Sequence, residues 1–208
     1  LDYVDIAIPP PVQAEPLSSG MVSDKPTRGA VLYGVMGGQV NVTDGQYVYM
    51  RGHVTQDNTP LNDYTLMPTH MRSPFAPREL QQWDKFSGFS FLKGCEVMKI
   101  PTRTPKASLS DDNPFGRGKR ATLLFDVQAD PGQTNPLDDP EIETRMIKLM
   151  LLEMARNECP DEQYERLGLP RPSRLGDGHE NEMVQLPPED SIREACLLRT
   201  PAGQTSKE

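Results

Sequence analysis

The chain reads as an α+β fold, in which a small antiparallel sheet of about four strands packs against a C-terminal helix, with long Pro-rich loops between short elements. Three observations predict it. Strand-like segments follow one another with no helical period between them, so neighbours pair antiparallel. One strong helical period appears only late, after Asp139. Twenty-one prolines in 208 residues remove backbone donors and interrupt regular structure, which predicts long connections.

Residues 1–28 carry Pro9, Pro10, Pro11, Pro16 and Pro26 and no sustained period, and read as an extended lead-in. Residues 30–35 are a short apolar run, stopped by Met36, Gly37 and Gly38. Over residues 39–43, Val40 and Val42 fall on one face and Asn41 and Thr43 on the other. Asp44-Gly45 is the strongest short hairpin signal, and the Tyr- and Val-rich residues 46–51 supply the returning strand. Residues 64–72 are extended but interrupted by Pro68, which places them at a sheet edge or in an ordered loop. Residues 96–101 and 121–127 add two short strands around a polar loop.

The helix opens behind Asp139 as N-cap, with Pro140 at the first helical position and Glu141 and Glu143 in the first turn. Ile142, Met146, Leu149, Met150 and Met154 recur at helical spacing and form a stripe that must pack on a sheet face. The methionines in it are core packing. Pro160 ends this helix, and residues 161–167 add a shorter one. Beyond Pro170 the chain is polar, proline-rich and aperiodic, as expected of a disordered tail. The expected organisation is therefore a lead-in over 1–28, a folded subdomain over 29–170 and a tail over 171–208.

Composition narrows the function. The chain is 36% hydrophobic with a mean hydropathy of -0.59, which limits a self-contained core. A net charge of -8 argues against nucleic acid, which needs clustered Lys and Arg. The one short basic run, Arg117, Lys119 and Arg120, is flanked by Pro, Gly, Ser and Asp and reads as a solvated loop. No apolar stretch approaches the roughly 18 residues of a membrane span, and no signal peptide is visible, so no membrane partner is expected. Cys95, Cys159 and Cys196 are odd in number and form no CxxC pair. Unbridged thiols are expected, which favours a reducing compartment such as the cytoplasm. The chain opens on Leu1 and not on Met, as a fragment or a processed product would.

Read alone, these residues assemble no chemistry. There is no Gly-rich phosphate loop and no nucleophile elbow, and the three histidines, His53, His70 and His179, are scattered. Gly176-Asp177-Gly178-His179 reads as a turn, and the sequon Asn41-Val42-Thr43 lies inside a strand.

Leu124-Phe125-Asp126-Val127-Gln128-Ala129-Asp130-Pro131-Gly132-Gln133-Thr134-Asn135 resembles the C-terminal signature of sulfatases, LFDLENDPGETN, in which the last sheet strand turns into the final helix. Gly38-Gln39-Val40-Asn41-Val42-Thr43-Asp44-Gly45-Gln46-Tyr47 resembles an earlier hairpin, GGHVNVTDGRY, of a bacterial-type arylsulfatase branch. Tyr64-Thr65-Leu66-Met67-Pro68-Thr69-His70-Met71-Arg72 and Gln163-Tyr164-Glu165-Arg166-Leu167-Gly168-Leu169-Pro170 resemble two further blocks of that branch. The four blocks stand in the family order. The resemblance is thus to the C-terminal portion of a sulfatase-like hydrolase of the alkaline phosphatase superfamily.

That resemblance implies the C-terminal subdomain of an α/β sulfatase fold and the hydrolysis of sulfuric esters. The family's nucleophile is a formylglycine made within CxPxR or SxPxR, aided by calcium or another divalent cation. Neither motif is here: Cys95 precedes Glu-Val-Met-Lys, Cys159 precedes Pro-Asp-Glu-Gln, and Cys196 precedes Leu-Leu-Arg-Thr. No catalytic or metal-binding residue is therefore assigned, no cofactor is expected on this chain, and the chain alone is expected to be inactive. The implied partners are an N-terminal sulfatase domain before Leu1 and, in the intact protein, a sulfated small molecule or glycan.

In such enzymes the C-terminal subdomain can close one side of the substrate pocket. The resemblance makes His70, Arg72, Gln39 and Met36 the pocket candidates. Arg suits an anion's oxygens, and His can donate or accept near neutral pH. Met36 and Gln39 stand where the branch tends to have His in GxHGGH, which argues against a histidine-dependent substrate contact there, as altered specificity or relaxed selection would leave it. Two alternatives stay open: a stand-alone, non-catalytic binding module, or part of a phosphate or phosphonate ester hydrolase of the same superfamily.

Overall fold

The computed structural model describes residues 1–9, 16–23, 28–55, 57–67, 69–70, 73–102, 121–175 and 183–198. In chain order its strands are β1 (Val31–Gly34), β2 (Val40–Thr43), β3 (Tyr47–Arg51), β4 (Asn62–Thr65), β5 (Asp84–Phe86), β6 (Val97–Pro101), β7 (Leu123–Asp126), β8 (Ser173–Leu175) and β9 (Met183–Gln185). Its α-helices are α1 (Ser18–Ser23), α2 (Pro140–Arg156), α3 (Asp161–Leu167) and α4 (Glu189–Leu197).

Asp44 shapes the first hairpin. Its Oδ1 accepts from the backbone N–H of Gln46 at 3.0 Å and of Tyr47 at 2.7 Å, while Gly45 takes a φ of +92° that disfavours other residues. β2 can therefore return as β3. With β1 and β7 they form an antiparallel sheet in the order β1-β2-β3-β7. Its register sets Leu32, Val42, Tyr49 and Leu124 in one cross-strand row. Val42, Tyr49 and Leu124 belong to the same buried cluster as Met146, Met150 and Met154 of α2, and half-buried Leu32 packs against it. Fully burying one such side chain contributes about 1.5–3 kcal/mol, so the α2 stripe is the main apolar anchor of the sheet. Asp139 starts α2 as its residue type predicts, accepting from the N–H groups of Glu141 and Ile142 at 3.0 Å each. A four-stranded antiparallel sheet with helices is thus what the chain forms.

The later strands depart from expectation. The segments expected over 64–72 and 96–101 do not extend the first sheet. β4 ends before Pro68, and it pairs with β6 in a second antiparallel sheet of order β4-β6-β5. An aromatic cluster draws these strands together: the Tyr64 ring lies 4.8 Å from Phe86 and 5.0 Å from Phe89, and those two are 4.7 Å apart.

The expected disorder after Pro170 is also overturned for the described residues. β8 and β9 pair antiparallel, and α4 packs along α2 with Ile192 and Ala195 buried. The reason lies in α2, whose apolar surface is wider than one stripe. Thr144 meets Cys196 and Lys148 pairs with Glu189 at 3.3 Å, and helical spacing puts Ile147 and Leu151 on that same side. Without α4 this second face would stand in water. The lead-in likewise is not extended throughout: a 3-10 turn spans Asp2–Val4, α1 follows, and the Ser18 hydroxyl donates to the Asp2 carboxylate. The run Arg117, Lys119, Arg120 and the turn expected at residues 176–179 lie outside the described residues.

Candidate functional site

Three of the four pocket candidates can be located. Met36 and Gln39 flank the tight turn between β1 and β2, where Met36 is exposed and the Gln39 amide donates to the Ala121 carbonyl at 2.5 Å. His70 lies beyond the end of β4, next to the bridge between Thr69 and Pro74. Its Nε2 is 2.9 Å from Glu79 Oε1, and its ring sits 4.2 Å from the Phe75 ring. Glu79 is itself held by the Ala76 N–H at 2.6 Å, and this bond, followed by His70, lowers the carboxyl's pKa. His70 therefore has one ring nitrogen committed to a loop carboxylate, and an external ligand would use Nδ1. Arg72 lies outside the described residues. Among the described residues no hydrogen bond, ion pair or ring contact joins His70 to Met36 or Gln39.

The turn that carries Met36 and Gln39 is fixed by a buried polar network that the sequence concealed. Arg166 of α3, 1% exposed, donates from NH1 to the Gly38 carbonyl at 3.2 Å and to Asn58 Oδ1 at 2.9 Å, and from Nε to Gln163 at 2.9 Å. Asn58 in turn donates to the Gly37 carbonyl at 2.7 Å. Burial pulls the Arg166 pKa down to about 10.

Arg51, fully buried at the end of β3, donates to the carbonyls of Leu167 and Gly168 at 2.8 and 3.2 Å. It also donates to the Tyr49 hydroxyl at 3.2 Å, which passes its own proton toward Glu143 at 3.0 Å. Burial pushes the Tyr49 phenol well up, with the Arg51 charge opposing and Glu143 reinforcing. Gly168 closes α3 at φ +60°, where a Cβ would come within 2.8 Å of Val54. The two guanidiniums thus bind α3 and its terminal turn to the first sheet. Strand alternation held one clue: Arg51 shares its face with Tyr49 and Tyr47.

Glu162, one turn earlier on α3, binds the second sheet. Its Oε1 accepts from Asn62 at 2.7 Å and from the Tyr64 hydroxyl, with Lys99 at 3.4 Å. Burial acts to raise the Glu162 pKa, but the Tyr64 and Asn62 bonds and the Lys99 charge outweigh it and hold the carboxyl low. The Tyr64 phenol is pushed up by burial and by Glu162. α3 is therefore the tie between both sheets.

A groove of 940 Å³ runs between α2 and α4, across which Glu189 pairs with Lys148, and Glu189 also pairs with Arg193 on α4. Among the described residues no group of three or more His, Cys, Asp and Glu is placed to hold a metal ion. Also among them, no helix is long and apolar enough to cross a membrane. Cys95 is exposed, and Cys159 and Cys196 are half-buried. No family model, no curated protein and no solved structure matches this chain.

Proposed function

We propose that this chain is the C-terminal subdomain of a sulfuric ester hydrolase of the arylsulfatase type, supplying part of the substrate-pocket wall and inactive by itself. The observation that carries the reading is where the four resembling sequence blocks lie. The hairpin of the first block pairs through β3 with β7, the strand of the DPG block, whose turn leads into the capped helix. Arg166 of the last block donates to Gly38 of the first. Tyr64, which opens the remaining block, bonds Glu162, the residue just before the last. Blocks recognised separately along the sequence share one set of contacts, as expected if a single fold accounts for all of them.

In this reading the nucleophile and the divalent cation belong to a domain preceding Leu1. The chain's own residues shape and stiffen one wall. The bonds from Asn58, Arg166 and Gln39 hold the three residues after Met36, and the Gly38 N–H closes the turn on the Val35 carbonyl at 2.9 Å, so the thioether is offered on a rigid backbone. An apolar group there suits a less polar substrate portion than the histidine it replaces. With Nε2 donating to Glu79, which orients the ring, His70 would donate to an ester oxygen through Nδ1 as the imidazolium.

The coding sequence before Leu1 tests this. It should encode CxPxR or SxPxR within roughly 250–300 residues, the size of a large α/β domain. A start codon at or just before Leu1, with no such domain encoded upstream, overturns the reading.

A further inference from the structure

Trp83 is the chain's only tryptophan, and 48% of its surface is exposed. It follows the 3-10 turn Glu79–Gln82 in extended conformation and leads into β5. The register of the second sheet puts Thr65, Met98 and Lys85 in one cross-strand row. Strand alternation brings Trp83 and Glu96, two residues to either side, onto the same face. Together with Leu66 they border a shallow depression of 180 Å³. That is below the roughly 300 Å³ at which pockets for drug-sized ligands begin, and leaves room for one ring.

The chemistry around this depression has two characters. Trp83 and Met98 offer an aromatic and an aliphatic surface. At the rim Lys85 Nζ and Glu96 Oε2 form an ion pair at 2.9 Å with both side chains more than half exposed. The pair spends one ammonium proton and one carboxylate oxygen, leaving two donors and a further acceptor oxygen side by side with no net charge. We propose that this face binds a neutral pyranose ring, its C–H face against the indole and its equatorial hydroxyls bridging Lys85 and Glu96. An aromatic π-face is negative and a sugar's C–H face is weakly positive, so the stacking is favourable. The neutral rim gives an anion no advantage. A protein partner would have to bury the ion pair, whose desolvation is costly, whereas hydroxyls replace its water bond for bond. The proposal does not rest on the sulfatase reading, and each can fail without the other.

Because Trp83 is the only indole, the emission of the full chain reports on this face alone. Titration with methyl β-D-glucopyranoside should give a saturable blue shift with a dissociation constant of about 1–10 mM. Sorbitol, which has hydroxyls but no ring face, should give none. The double variant K85A/E96A should bind at least about tenfold more weakly with an unchanged melting temperature. In W83A, the glucoside-induced shift of the Met98 methyl resonance should disappear. A response that does not saturate, or that sorbitol reproduces, overturns the proposal. So does an emission shift that follows protein concentration without sugar, which would mark a contact between copies of the chain.

Discussion

Replacing Arg166 with methionine keeps much of the side-chain volume and removes every donor. The guanidinium is almost wholly buried, and it holds the Gly38 carbonyl and Asn58 Oδ1 at 3.2 and 2.9 Å. Its own bonds and its own desolvation roughly offset, as for many buried charges. What remains is the cost of depriving two buried acceptors of this donor, about 1–3 kcal/mol each. R166M should therefore lose about 2–6 kcal/mol, a large fraction of the 5–15 kcal/mol typical of a domain. R166K, which keeps a charge but lacks the planar fork, should fall between the two. Urea unfolding followed by far-UV circular dichroism reads the change as a lower midpoint at constant slope. An R166M midpoint equivalent to less than about 0.5 kcal/mol would refute the role given to this network.

Two other perturbations test the remaining ties. Ile192→Ala removes a fully buried side chain from α4 and should cost about 2–4 kcal/mol, seen as faster hydrogen exchange of the α4 amides. An α4 unprotected in the parent chain would contradict the packing. For pH, the Glu162 carboxyl is held below its ordinary 4.5, so its stabilisation is full above pH 4.5 and fades as pH falls through the lower folded value. Urea midpoints of the parent should drop across that acid range, and E162Q should show a shallower drop; parallel curves would deny Glu162 its part.

The first sheet and α2 were legible because their determinants are local. Asp44-Gly45 and Asp139-Pro140 act on backbone groups within three residues, and the methionine stripe shows its spacing directly. The second sheet was not, because β5 is only Asp84–Phe86 and its partners Tyr64 and Phe89 come from separate segments. α4 was hidden by brevity: Ile192 and Ala195 are too few to give a period, and the groove that receives them is a property of α2. Little in the sequence marks Arg51 and Arg166 as buried, because arginine is rarely buried. Three of their acceptors, at Leu167, Gly168 and Gly38, are backbone carbonyls, which carry no sequence signal. Of the pocket candidates, Met36 and Gln39 share one turn by adjacency in the chain, but the bond of His70 to Glu79 needed the folded loop.

The central claim is that the sulfatase chemistry lies in a domain that this chain supports. Its most direct test is hydrolysis of 4-nitrophenyl sulfate with calcium, measured in parallel for the 208-residue chain and for the product of the full reading frame that contains it. The account predicts no turnover above a protein-free control for the chain alone. It predicts turnover by the longer protein that is abolished when the Cys or Ser of its CxPxR or SxPxR motif is replaced by Ala. Sulfate release by the chain alone, or none by a folded longer protein bearing the motif, would contradict it.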